Sequence, residues 1–380
     1  MSKKKKILFY TGCRADYGLL EPIIKKIHNK SQLYLIIGPH HQKNNFGKTV
    51  NKINKIYFKK VYYCKANINY ENVDVIDFIS SSSKSYKNLL RKIRPSMVVV
   101  LGDRYEVLSF VITSFFEKIN ICHIHGGEKT IGSFDDTIRH VITKFSTFHF
   151  SSNLIYKKRL ISLGENKKNI FNFGSIGAES VKNFKYFGKK ELFNRLGINT
   201  KKEIILLTFH PETNSNISYK KQIQTFLSSF KKSKNFHLIF TASNPDPSGK
   251  MFNQKIKKFV NNNLNSSFYY SLGNQNYLNL AKFSKLIIGN SSSLIIEAPS
   301  LGVPILNIGD RQLGRIMSKN ILSIPLETHL IKKALKEILE KKRGIYKKYN
   351  PYYKKNTTTK ISRKIIDLVK IKNSYKYFND

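Results

Sequence analysis

Tryptophan is absent from this chain of 380 residues, cysteine occurs three times, and acidic residues number 24 against 67 lysines and arginines. The three thiols, Cys13, Cys64 and Cys122, are scattered, odd in number and without metal-binding spacing, which points to a reducing cytoplasm. No apolar run approaches the ~20 residues that a membrane span needs. The opening MSKKKKILFY has a basic start, but its apolar run is too short for a signal peptide. Ile7–Tyr10 reads instead as a first β-strand.

The shortage of acid leaves a formal net charge of +43. Such a charge suits a nucleic-acid or membrane binder. The lysines, however, spread along the whole chain in pairs and form no stripe. Lys, Asn, Ile, Phe and Tyr are abundant together, the composition that an AT-rich genome produces. Composition bias is therefore the preferred reading, with no nucleic-acid or membrane partner. A positive field still attracts an anionic substrate. The 41% hydrophobic fraction fits a globular protein, and the length allows two domains with cores of their own.

Strand-like and helix-like segments alternate. Strands are expected at Ile7–Thr11, Leu33–Ile37, Ile53–Tyr62, Met97–Leu101, Ile119–Ile124 and Thr147–Phe150. Helices are expected at Leu19–Asn29, Ile76–Ile93 and Tyr105–Phe116. The pattern resumes with strands at Ile204–Thr208, Leu238–Thr241, Phe268–Ser271, Leu286–Ile288 and Pro304–Ile308. Its helices are Ser218–Lys232, Lys250–Asn262, Asn276–Phe283 and Leu294–Ser300. This order predicts an α/β protein with two parallel, Rossmann-like sheets. We place the first domain at 1–175, the second at 176–355 and a C-terminal helix at 356–380, packed back on the first.

Five motifs fall at expected strand ends, where open α/β sheets bind ligands. TGCRADYGLL (11–20) offers a glycine turn, helix amides and the forked donor Arg14 for a phosphate, or simply a turn with a surface arginine. LGDRYEVL (101–108) places Asp103 and Arg104 beyond the run VVVL; a helix cap is the alternative role for Asp103. HIHGGEKTIGSFDDTIRH (123–140) is the densest. Glu128, Asp135 and Asp136 are candidates for proton transfer, and Arg139 for orienting them or binding substrate. Asp135 or Asp136 can equally cap the next helix. His123 and His125 fall on one strand face and read as a packed or hydrogen-bonded pair, not as metal ligands. TFHPETN (208–214) holds His210 extended before proline, as an acid, a phosphate donor or a structural histidine. IIGNSSSLIIEAPSLGVPILNIGDRQLGR (287–315) opens a helix with serines. Ser291 and Ser292 suit a phosphate, Glu297 a ribose and Arg311 a diphosphate, with helix capping as the plainer role of the serines.

In this order the five motifs resemble the hydrolysing UDP-N-acetylglucosamine 2-epimerase family over nearly the whole chain. NPYYKKNTTTKI near the C-terminus resembles the NPYG-type tail of that family. The resemblance implies a GT-B-like pair of Rossmann-like domains facing across a cleft. It implies release of UDP and N-acetylmannosamine from UDP-N-acetylglucosamine through a glycal, for sialic-type acid biosynthesis. No cofactor and no metal are expected, and a homo-oligomer is. By motif match, Asp103, Glu128, Asp135, Asp136 and His210 resemble the catalytic set. Arg14, Ser291, Ser292, Glu297 and Arg311 resemble the UDP-binding set, and Arg104 and Arg139 are assigned to the substrate with them. Leu294 and Glu212 depart from the family pattern, and PHHQKNNFGKTV (39–50) follows it loosely. These departures leave open UDP-N,N'-diacetylbacillosamine as substrate. A non-hydrolysing epimerase and a GT-B glycosyltransferase are the further alternatives.

Overall fold

The computed structural model describes residues 4–41, 49–66, 75–231, 235–243, 248–340, 349–372 and 376–379. Residues 42–48 of the loosely matching segment lie outside that description. The chain divides into two compact units. The first comprises Met1–Glu128, Asp135–Glu179 and Lys354–Asp380; the second comprises Lys129–Phe134 and Ser180–Tyr353.

In the first unit β1 (Lys6–Thr11), α1 (Arg14–Ile27), β2 (Gln32–Ile37), β3 (Lys60–Tyr63), α2 (Val75–Ile93), β4 (Met97–Leu101) and α3 (Tyr105–Phe116) follow one another. Then come β5 (Asn120–Ile124), α4 (Asp135–Phe145), β6 (Phe148–Ser151), α5 (Leu154–Ser162), β7 (Ile170–Asn172) and α6 (Ile176–Lys182). The seven strands run parallel in the order β3-β2-β1-β4-β5-β6-β7. Alternate side chains of a strand face opposite sides. Ile7, Phe9, Met97 and Val99 accordingly enter one core, whereas Leu8, Tyr10, Val98 and Val100 enter another.

The second unit runs α7 (Lys189–Leu196), β8 (Glu203–Thr208), α8 (Tyr219–Ser228), β9 (Phe236–Thr241), α9 (Gly249–Asn261), β10 (Ser266–Tyr269) and α10 (Gly273–Phe283). It continues with β11 (Leu286–Gly289), α11 (Ser292–Ile296), β12 (Ile305–Ile308), β13 (Ile321–Ile324) and α12 (Thr328–Glu340). Six parallel strands stand in the order β10-β9-β8-β11-β12-β13. Finally α13 (Thr357–Leu368) belongs to the first unit, where Ile361, Ile365 and Leu368 join the core that holds Leu20, Ile23 and Ile24 of α1.

The expected strand over Ile53–Tyr62 is largely absent. A short 3-10 turn over Thr49–Lys52 precedes it, its first part forms a second over Lys55–Tyr57, and only β3 is extended. The Asn54 side chain accepts from Ile56 N and caps the second turn. The expected helix Leu294–Ser300 is broken: α11 stops at Ile296, and a 3-10 turn over Ala298–Leu301 carries Pro299 in its first turn. Proline has no N–H with which to continue an α-helix. Among the described residues no helix is long and apolar enough to cross a membrane.

Candidate functional site

Strand order reverses between β1 and β4 in the first unit, and between β8 and β11 in the second. Such reversals open a crevice at the carboxyl ends of the strands. At the β1 end Gly12 and Cys13 donate backbone N–H groups to Asp16 Oδ2, each at 3.0 Å. Burial pushes the Asp16 carboxyl up to about 6, and nearby Arg104 partly offsets that rise. Arg14 opens α1, and its side chain lies outside the described residues.

At the β4 end Asp103 does not cap α3. The cap position is Arg104, without a side-chain cap bond. Arg104 instead turns to the fully buried Glu106, giving it Nε at 3.2 Å and an amino group at 3.1 Å. Asp103 pairs with Arg139 of α4. Arg139 is 1% exposed, and its other amino group donates to Asp136 Oδ1 at 3.2 Å and to the Glu128 carbonyl at 2.9 Å. One buried guanidinium thus gathers two candidate carboxylates and the backbone of a third. A planar fork suits that task. Asp135 and Asp136 occupy the first turn of α4, where the helix dipole favours negative charge.

The two histidines of the HIHGG stretch separate. His123 is buried in β5, with Nε2 2.7 Å from the Gly102 carbonyl and Nδ1 3.3 Å from Thr143 Oγ1. Burial pushes its pKa down to about 3, so it is neutral. His125 lies beyond the strand with φ +69°, so the expected common strand face is lost. Its Nδ1 is 3.1 Å from Glu128 Oε1, which also accepts from Ser152 Oγ at 2.6 Å. Gly127, at φ +76°, has no room for a side chain: a Cβ would stand 2.7 Å from Leu160. The His-x-x-Glu spacing around a diglycine is the signal in the sequence for this pair. Glu106 and Ser152 carried no such signal.

In the second unit Asn290, beyond β11, ties three strand ends together. Its Oδ1 accepts from His210 N at 2.7 Å, and its Nδ2 donates to His210 O at 2.9 Å. Its carbonyl accepts from Arg311 at 3.2 Å and Gln312 at 2.9 Å. Glu212 is buried below, with Oε1 3.3 Å from Arg311 N, and burial raises its pKa. His210 Nδ1 lies 3.3 Å from Ser243 Oγ. Ser291 is the N-cap of α11 without a cap bond from its side chain, Ser292 is the first helical residue, and Glu297 follows the last. Lys129–Phe134 joins this unit: Ile131 N donates to Leu313 O at 2.9 Å and Phe134 N to Thr213 Oγ1 at 3.3 Å. Within the described residues no group of three or more His, Cys, Asp and Glu residues could hold a metal ion.

A family model described as UDP-N-acetylglucosamine 2-epimerase matches residues 25–366. Polysialic acid biosynthesis protein P7 of Escherichia coli is 36% identical over 99% of this chain and 97% of its own length. GDP/UDP-N,N'-diacetylbacillosamine 2-epimerase (hydrolyzing) of Campylobacter jejuni is 38% identical, covering 84% of each chain. The Neisseria meningitidis UDP-GlcNAc 2-epimerase bound to UDP-GlcNAc superposes with a TM-score of 0.77 at 19% identity, over 95% of this chain and 100% of that one. That likeness extends to the fold, a GT-B-like pair of Rossmann-like units. Motifs, fold and match over nearly the whole length agree, and the chain belongs to the UDP-N-acetylglucosamine 2-epimerase family.

Proposed function

We propose that this protein is a hydrolysing epimerase that converts UDP-N-acetylglucosamine and water into UDP and N-acetylmannosamine, in the service of sialic-type acid biosynthesis. The observation that carries the reading is the buried Arg139 fork, which gathers Asp103, Asp136 and the Glu128 backbone beside the strand ends of the first unit. Inversion at C2 requires removal of a weakly acidic proton and its return to the opposite face. That calls for more than one proton-transferring group. Asp103, Glu128, Asp135 and Asp136 are the carboxylates assigned to this work, with His210 as a further acid. In the second unit Ser291, Ser292, Glu297 and Arg311 are assigned to UDP, with Arg14 and Arg104 of the first as further substrate contacts.

The proposed course is elimination then hydration. Loss of the C2 proton and of UDP leaves a glycal, and water adds across its double bond. The hydrolysing relative from Campylobacter jejuni supports the hydrolytic outcome. The same relative supports a second reading, in which the sugar is that of UDP-N,N'-diacetylbacillosamine.

NMR of the protein with each nucleotide sugar in deuterated water tests both. Free UDP with a C2-deuterated manno-configured sugar is the expected result, and the faster substrate identifies the sugar. A UDP-linked product overturns the hydrolytic reading, and no turnover of either substrate overturns the function.

A further inference from the structure

His125 is absent from the carboxylate set, yet its geometry is that of a reacting group. Its backbone has φ +69°, a conformation that few residues with a Cβ adopt. Non-glycine residues persist there when the surroundings over-determine them, and they cluster at functional sites. The surroundings here do so. His125 N donates to Phe150 O at 2.9 Å, and the next two residues are glycines closely packed against His123 and Leu160. The imidazole is 9% exposed and places Nδ1 3.1 Å from Glu128 Oε1. Ser152 Oγ holds the same carboxylate oxygen at 2.6 Å. The other ring nitrogen, Nε2, is buried and makes no hydrogen bond among the described residues. A buried polar atom without a partner is costly and calls for a cause, and here it sits on a positive-φ residue whose other ring nitrogen meets a buried carboxylate, the setting of a catalytic group.

A carboxylate on Nδ1 fixes the tautomer of an imidazole and stabilises its cation, while Nε2 does the proton transfer. We infer that His125 is the proton donor of the hydration half-reaction, with Glu128 as its orienting carboxylate. This rests on the proposed hydrolytic epimerisation. In the first half a carboxylate of the Asp103–Asp136 group takes the C2 proton. The C2–H pair becomes the C1=C2 bond, and the anomeric C–O pair leaves with UDP. In the second half the His125 Nε2–H bond breaks and its proton bonds to C2 through the π pair, on the opposite face. A water oxygen bonds to C1, and the proton it loses restores the imidazolium. Glu128 thereby acts through its neighbour, a role different from that of Asp103.

The full-length His125→Asn and His125→Gly variants test this. Both residues tolerate positive φ, and asparagine keeps a donor for Glu128. With the better nucleotide sugar, the expected result is continued UDP release with free glycal replacing the hydrated sugar. Formation of the manno product falls at least about 100-fold. Substituted imidazoles added to His125→Gly restore hydration in proportion to their proton affinity, not their size. Hydrated product at the wild-type rate overturns the inference. So does equal loss of both half-reactions with no glycal and no response to imidazoles, which marks a purely structural residue. If neither variant folds, Ser152→Ala is used. It is expected to raise the released glycal fraction, and a wild-type product mixture overturns the inference. Absence of turnover in the wild-type protein is the separate failure of the proposed function.

Discussion

Replacing Arg139 by methionine removes a buried cation shared by two carboxylates and one carbonyl. Breaking a buried ion pair costs about 3 kcal/mol or more. A fall of that size in unfolding free energy by urea titration is expected, with loss of turnover. Arg139→Lys keeps the charge but not the fork, so it is expected to retain most of the stability and lose most of kcat. Asp103→Asn is expected to abolish turnover while UDP still binds calorimetrically, and Arg311→Ala to weaken UDP binding. Full activity in the first variant, or wild-type UDP affinity in the second, defeats the corresponding assignment. Asp16 supplies a pH test. Its folded pKa of about 6 lies above the ordinary carboxyl value, so the folded state binds the proton more tightly. Stability from this group is therefore present at low pH and declines as pH rises through about 4 to 6. Asp16→Asn keeps an acceptor for Gly12 and Cys13 without the buried charge. It is expected to be more stable than wild type above pH 6, by on the order of 2 kcal/mol, and equal to it near pH 4. Denaturant midpoints across that range decide.

At the scale of elements, legibility followed pattern strength. α3 is read from the sequence with its observed bounds, and VVVL is read as a strand, because both are long or uniformly apolar. β7 and β13 escape notice. They are edge strands of three and four residues with mixed burial, so neither alternation nor an apolar run marks them. The site was legible as a set of strand-end residues. Its wiring was not, because Arg139 reaches Asp103 and Asn290 reaches His210 across elements far apart in the chain. Glycines divide in the same way. Gly132 lies where a Cβ would stand 2.0 Å from Asp310 O, whereas Gly18 in α1 has open space around it. Gly132→Ala is expected to displace the Asp310–Arg311 turn and lower Tm by several degrees. Gly18→Ala is expected to raise stability by about 0.5–1 kcal/mol, since an interior helix glycine is costly. Thermal melts of the two variants check the contrast.

For the whole molecule, the first unit is stitched from three stretches of chain, and the second is nearly continuous. Ending the protein at Tyr353 removes α13 from a core that includes α1 and β1. The truncated protein is expected to bind a hydrophobic dye and to lose the cooperative unfolding of the first unit. A dye-binding assay and calorimetry test this, and cooperative unfolding with no dye binding overturns it. During synthesis the same connectivity imposes an order. A ribosome adds about 5–20 residues per second, so the second unit is fully made while the first still awaits its final helix. Until α13 emerges, the part of the core that Ile361, Ile365 and Leu368 complete beside α1 stays open, and that interval is when a chaperone has a surface to hold.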